Sequence, residues 1–114
     1  MNDNQQRFNQ LIIEAIDEVL GYFGEPVRNQ LYIRLEDEYS IRKSDIPSEI
    51  EEFMKFLYRI FNVNARLIEI KFMKKLYAKV NDELNHLGNH TIIFSENNLS
   101  FLTYIAKFKE SYLI

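Results

Sequence analysis

Apolar side chains recur along most of the chain with the three-to-four-residue spacing of amphipathic helices. In the first segment they share one face, and charged and amide side chains occupy the other. The pattern predicts a helix from about Asn4 to Tyr22, and Gly21 and Gly24 lie where its C-terminus would end. The apolar face consists of Phe8, Leu11, Ile12, Ala15, Ile16, Val19 and Leu20.

A second helix is predicted to begin at Glu25-Pro26, because proline fits the first turn of a helix. It ends near Tyr39, and Ile33 lies off its apolar stripe, where it would face a partner. The stripe is Val27, Leu31, Tyr32, Leu35 and Tyr39.

A loop over Ser40–Pro47 precedes a third helix, for which Ser48 and Glu51 form a capping-box pattern. This helix is predicted to end near Phe61. Its apolar face is Ile50, Phe53, Met54, Leu57, Ile60 and Phe61.

The residues Asn62-Val63-Asn64 interrupt the periodicity, since asparagine tolerates left-handed turns. A fourth helix follows from about Ala65 to His86, with its basic residues opposite its apolar stripe. That stripe is Ala65, Ile70, Phe72, Met73, Leu76, Tyr77, Val80 and Leu84.

The C-terminal segment carries weaker signals. Thr91–Phe94 is β-branched and aromatic and favours an extended conformation, but it is too short to predict a sheet. Ser95 or Asn98 could cap a last helix, in an extension of about 95–114. Its apolar positions are Leu99, Leu102, Ile105, Ala106, Phe108, Tyr112 and Leu113.

These elements predict the all-α class: a compact bundle of about five helices forming a single domain over residues 1–114. The absence of cysteine excludes thiol catalysis, zinc–thiolate sites and disulfides. Apolar runs reach only three residues, whereas a membrane span needs roughly 20. With no signal-peptide pattern at the N-terminus, we expect a soluble, cytoplasmic protein with no membrane partner.

Charge is unevenly distributed although the net charge is only −3. Residues 1–40 hold three basic and eight acidic side chains, whereas residues 62–86 hold five basic and three acidic ones. The acidic half could fold onto the basic half, or chains could attract one another head to tail.

Glu69 is the polar residue that interrupts the apolar face of the fourth helix. A carboxylate there is costly to ionise without partners, so it is either a functional acid or, the preferred interpretation, a structural carboxylate. Arg28 is the expected partner, because it lies near the apolar face of its own helix.

Two further patterns suggest binding chemistry. His86 and His90 have the spacing of a helical metal pair, but Gly88 lies between them and few other ligands stand nearby, so no metal site is predicted. A basic face could contact phosphates, although a charged face is usually the solvated side of a helix. This face comprises Arg66, Lys71, Lys74, Lys75 and Lys79.

No catalytic triad and no glycine-rich phosphate loop are recognisable, so neither catalytic residues nor cofactors are predicted. The seven tyrosines and nine phenylalanines are numerous for 114 residues. Aromatic side chains of this abundance suit both a core and an interface, which favours self-association.

The middle of the chain, about residues 20–80, carries a set of residues with a recognisable pattern: Leu35, Glu36, Asp45-Ile46-Pro47, Phe53, Leu57, Ile60-Phe61, Ala65, Ile68-Glu69 and Leu76-Tyr77. With these residues the segment resembles a small all-helical family of archaeal proteins, the Nitrosopumilus-type output domain. The family pattern carries glycines after Ile60-Phe61, where this chain has Asn62 and Asn64.

The resemblance implies a helical fold, a structural Glu69 and a role in signalling or protein contact, with no known reaction. Three hypotheses follow. The first is a non-enzymatic interaction or signalling module that self-associates. The second is a nucleic-acid-binding regulator using the Lys71–Lys79 face, and the third is a small-ligand pocket around Glu69.

Overall fold

Five of the periodic segments form α-helices in the computed structural model, which describes residues 3–86 and 99–112 without the side chains of 84–86 and 111. The predicted all-α class is confirmed, and no strand occurs within these residues. Thr91–Phe94, Ser95 and Asn98 lie outside them. The helices are α1 (Asp3–Gly21), α2 (Glu25–Tyr39), α3 (Ile50–Phe61), α4 (Ala65–His86) and α5 (Phe101–Tyr112), with 3₁₀ turns at Lys43–Ser48 and Asn62–Asn64.

The first four helices form a ring in which each packs on its neighbours in sequence and α4 closes on α1. α1 and α4 run antiparallel, because Arg7 lies 2.6 Å from Glu83 while Glu18, further along α1, contacts Lys75, earlier on α4. α2 packs on α1 and α3 and is therefore diagonal to α4. α5 lies along α4 and also contacts α1 and α3.

The core lies where these helices meet. All seven residues predicted for the apolar face of α1 are buried, which confirms that stripe. A chain of rings joins three helices, since the Phe72 centroid lies 6.0 Å from that of Phe53 in α3 and 5.3 Å from that of Phe101 in α5. These contacts hold α3, α4 and α5 together.

The predicted capping box at Ser48 and Glu51 is wrong. Ser48 belongs to the 3₁₀ turn, where its hydroxyl donates to the Asp45 carbonyl at 2.9 Å, and α3 begins only at Ile50 without a side-chain cap. The physical reason is Ile46, which is completely buried and holds the preceding loop in a tight turn against the core.

Two apolar stripes also differ from prediction. Val27 is 44% exposed, so the apolar face of α2 is narrower than expected. In α5, Phe101 and Tyr104 are fully buried while Leu102 is exposed, so the buried stripe is rotated from the predicted one. Ile33 is exposed, as its position off the stripe suggested.

The corner between α3 and α4 depends on an unusual backbone conformation at Asn62, which has φ 52° and ψ −123°. L-residues rarely adopt positive φ, and glycine does so without steric cost. Asn64 does not have positive φ. Of the two asparagines for which the sequence suggested a left-handed turn, only Asn62 adopts positive φ.

Asn62→Gly is therefore expected to stabilise the protein by about 1 kcal/mol, because glycine removes the strain of positive φ. Asn64→Gly is the matched control and should be neutral or destabilising, since that backbone gains nothing from glycine. Urea unfolding of both variants measures the difference. A loss of stability in Asn62→Gly would contradict the assigned conformation.

Candidate functional site

Glu69 is the buried charged residue at the junction of α3, α4 and α5. Only 4% of its surface is exposed, as its place on the apolar face of α4 predicted. Such burial is stable only where donors satisfy the carboxylate. The surrounding helices therefore determine whether this acid is structural or reactive.

Three donors reach the two oxygens of this carboxylate. Oε1 accepts from the Tyr58 hydroxyl at 2.6 Å and from Arg66 Nη1 at 2.9 Å. Oε2 accepts from the backbone N–H of Phe101 at 2.7 Å. Arg66 Nη1 also donates to the Leu99 carbonyl at 2.8 Å, which ties α4 to the start of α5 a second time.

The carboxylate lies at the N-terminus of α5, where unpaired backbone N–H groups and the helix dipole favour negative charge. Ser100 completes this terminus, because its Oγ accepts from the Thr103 N–H at 3.1 Å in the geometry of an N-cap. Glu69 and Ser100 thus satisfy two of the first amides of α5. The sequence analysis missed Ser100, although serine immediately before an apolar run is a cap signal.

Tyr58 remains a hydrogen-bond donor at neutral pH. Burial, together with its hydrogen bond to Glu69, raises the pKa of the Tyr58 hydroxyl to about 12. The hydroxyl that contacts Glu69 is that of Tyr58, which is protonated and donates to the carboxylate, and Arg66 is the other side chain that binds it. The geometry therefore suits an anchor for α5 better than general acid–base chemistry.

Arg28, the predicted partner of Glu69, pairs with a different acid. Its Nη1 lies 3.5 Å from Asp17 Oδ2, because α2 packs on α1 and stands diagonal to α4. Asp17 Oδ1 also accepts from the Tyr32 hydroxyl at 2.9 Å and lies 2.9 Å from Lys43 Nζ. The partner prediction was wrong, and the four residues form a separate cluster that joins α1, α2 and the loop that follows α2.

Electrostatics in this second cluster favour the ionised acid. Burial acts to raise the pKa of Asp17, but hydrogen bonds from Lys43 and Tyr32 outweigh it and hold the pKa below the ordinary 3.8. Burial and the bond to Asp17 raise the pKa of the Tyr32 hydroxyl. The cluster is thus a structural ion pair with a protonated tyrosine.

A cleft of about 250 Å³ opens beside Glu69. Three protein donors already occupy most of the acceptor sites of the Glu69 carboxylate, two of them on Oε1 and one on Oε2. The cleft is small beside typical ligand sites of about 300–1,000 Å³. Its lining is Glu51, Met54, Lys55, Tyr58, Glu69, Ser100 and Leu102.

The five residues of the predicted basic face do not act together. Arg66 is engaged with Glu69, as described above. Lys79 lies 2.5 Å from Glu18 and 3.6 Å from Glu14, and Lys75 lies 3.6 Å from Glu18. The acidic half has folded onto the basic half, as one of the two sequence alternatives proposed.

Lys71 and Lys74 remain exposed and form no ion pair with any described residue. They border a depression of about 260 Å³ that Tyr22 and Lys75 also line. Lys75 approaches Tyr22 as well, with Nζ 5.7 Å from the ring centroid. Two unneutralised positive charges therefore mark the outer side of α4.

An exposed apolar surface, which the sequence analysis did not identify, lies at the end of the bundle where the α1–α2 turn meets the α3–α4 corner. The two turns are in contact there, because the rings of Phe23 and Phe61 stack with centroids 5.3 Å apart. We call this surface the corner patch. Its members are Tyr22 (63% exposed), Phe23 (43%), Val27 (44%), Val63 (88%) and Leu67 (60%).

No metal-ligand cluster and no membrane-spanning helix occur within residues 3–86 and 99–112. No three histidine, aspartate or glutamate side chains converge there as metal ligands. His90 and the side chain of His86 lie outside what the structure describes. None of the helices in these residues is both long and apolar enough to cross a membrane.

A comparison of the chain with family models, curated proteins and solved structures finds no match. The resemblance to the archaeal output-domain family therefore stays a prediction. Any function must be argued from the surfaces and clusters of the chain itself.

Glu69→Gln is expected to lower the free energy of unfolding by about 2–3 kcal/mol, because an amide cannot accept from all three donors. Glu51→Gln is the control: it lies on the rim of the same cleft but is exposed, and should cost less than about 0.5 kcal/mol. Urea unfolding measures both variants. An unchanged Glu69→Gln would contradict the anchor role and favour a ligand-binding one.

Acid titration tests the Asp17 cluster. Because the pKa of Asp17 is lower in the folded state than in the unfolded state, its stabilisation is present above the ordinary value of 3.8 and is lost as pH falls through the folded value. Asp17→Asn should therefore be less stable than wild type at neutral pH and approach it in acid. Urea unfolding at several pH values measures this convergence.

The control is Asp82→Asn, since Asp82 is exposed and makes no ion pair among the described residues. It should run parallel to wild type throughout the acid range. A constant offset for Asp17→Asn, without convergence in acid, would show that the cluster stabilises by packing and not by charge.

Proposed function

We propose that this protein is a non-enzymatic interaction module that associates with further copies of itself. The observation that carries the proposal is the corner patch. Scattered exposed apolar side chains are ordinary, but five large ones around two touching turns favour a contact surface. Tyrosine and phenylalanine are also enriched at protein interfaces.

The helix packing supports this location for a contact. Phe23 and Phe61 stack across the two turns, so the patch is held by the fold on a rigid end of the bundle. A preorganised surface loses little conformational entropy on binding. Val63 is 88% exposed beside the fixed Asn62 corner, where burial by a partner would remove most of its surface from water.

The resemblance to the output-domain family extends the proposal to a cytoplasmic signalling role in an archaeal cell. It rests on the quoted residues of the middle of the chain alone. The corner patch lies within that part, since all five members fall between residues 20 and 80. The proposal thus places self-association in the same segment as the resemblance.

The nucleic-acid alternative has weaker support. Phosphate contacts require several free cations, whereas Lys75 and Lys79 are held by acids of α1. Lys71 and Lys74 alone would give a weak, salt-sensitive contact on a chain of net charge −3. The ligand-pocket alternative rests on the cleft beside Glu69, whose carboxylate already accepts three hydrogen bonds.

Self-association is tested by light scattering after gel filtration over a wide range of loading concentrations. Wild type should show a mass that rises with concentration. Val27→Ser combined with Val63→Ser should weaken association roughly tenfold or more, because both side chains are exposed members of the patch. The helical circular dichroism should not change, since both residues are exposed.

Leu102→Ser is the matched control, since Leu102 is 46% exposed on α5 and is not a member of the corner patch. It should associate like wild type. A wild-type protein that stays monomeric at every concentration would overturn the proposal. Equal weakening by Leu102→Ser would show that exposed apolar area in general, and not the corner patch, drives the contact.

A further inference from the structure

The outward side of α4 is apolar and basic. Leu67, Lys71 and Lys74 follow one another at helical spacing of four and three residues, and all three are exposed. Neither lysine has an ion-pair partner among the described residues, while Lys75 and Lys79, nearer to α1, are paired. We call Leu67, Lys71 and Lys74 the outer face of α4, to distinguish them from the five-residue basic face predicted from the sequence.

The outward side of α2 is apolar and acidic. Ile33 is 53% exposed, and Glu36 and Asp37 lie three and four residues further along the helix. Both acids are exposed and form no ion pair within the part of the chain that the structure describes. We call Ile33, Glu36 and Asp37 the acidic face.

The two faces are complementary in charge. Each presents one branched aliphatic side chain with two like charges three to seven residues further along the same helix. Opposite charges around a small apolar contact steer association and fix its register. The same charges oppose contact of either face with its own copy, because like charges would meet.

The faces cannot meet within one chain. α2 packs on α1 and α3, and α4 packs on the same two helices from across the ring. The sides of α2 and α4 that point away from the core are thus on opposite sides of the bundle. Contact between the two faces requires a second copy.

We infer that the protein associates head to tail, with the outer face of α4 of one copy docked on the acidic face on α2 of the next. This inference rests on the proposed self-association and specifies its geometry. A contact between two different surfaces leaves one face unused at each end, so it grows into a ring or an open filament and does not stop at a dimer.

Charge exchange tests the geometry. The first variant carries Lys71→Glu and Lys74→Glu, and the second carries Glu36→Lys and Asp37→Lys. Each alone has two faces of the same sign and should associate at least about 100-fold more weakly than wild type. Mixed one to one, they should assemble again, because every contact then joins opposite signs. Sedimentation velocity at low and high salt follows the mass.

A variant with Lys107→Glu and Lys109→Glu is the control. It makes the same change in net charge on exposed lysines of α5 and should assemble like wild type. Loss of assembly in this control, or a mixture of the two face variants that stays monomeric, would overturn the head-to-tail contact. Circular dichroism establishes that each variant is folded.

The outcomes separate this inference from the proposed function. A strictly monomeric wild type overturns both. A wild type that forms a closed dimer, weakened by the corner-patch variant but not by Glu36→Lys with Asp37→Lys, overturns the head-to-tail geometry and leaves self-association intact. Mass that rises beyond a dimer and falls with added salt supports the inference.

Discussion

A buried carboxylate requires hydrogen-bond donors, and Glu69 accepts hydrogen bonds from three helices. Tyr58 supplies one from α3, Arg66 one from α4, and the first amide of α5 the third. The N-terminus of α5 is thereby tied to α3 and α4, and the rest of α5 packs along α4 and contacts α1. Phe101 makes two of these contacts, because its backbone N–H donates to Glu69 and its ring packs on Phe72. Polar and apolar contacts therefore fix the same end of the same helix.

The long-range ion pairs explain why a chain with two oppositely charged halves can be compact. Antiparallel packing of α1 and α4 places Glu14 and Glu18 beside Lys75 and Lys79. Each exposed pair contributes little on its own, so the buried stripe of α1 remains the main stabilising contact. The ion pairs agree with the antiparallel arrangement that this buried stripe stabilises.

Periodicity in the sequence was sufficient for α1 and for the burial of Glu69, because each has polar residues clearly opposite apolar ones. It failed for α5, where Phe101, Leu102, Tyr104 and Ile105 surround the helix and two different stripes fit a spacing of 3.6 residues. Contacts with Phe72 and Tyr77 on α4 select the buried one. The partner of Glu69 could not be predicted from the sequence either. Arg28 lies near the apolar face of its own helix, as a buried partner would, but the order of the helices in the ring places it beside Asp17.

The order of helices around the ring also determines which charges remain. α1 lies between α2 and α4, and its acids pair on both sides: Glu14 and Glu18 with lysines of α4, and Asp17 with Arg28 and Lys43. None of these acids pairs with Lys71 or Lys74, which are left unneutralised. α3 reaches α2 with Arg59, which pairs with Glu38, and Glu36 and Asp37 on the outward side receive no cation. A helix that must contact two neighbours cannot turn its outer side toward either of them. The residual positive and negative faces are thus a geometric consequence of ring packing.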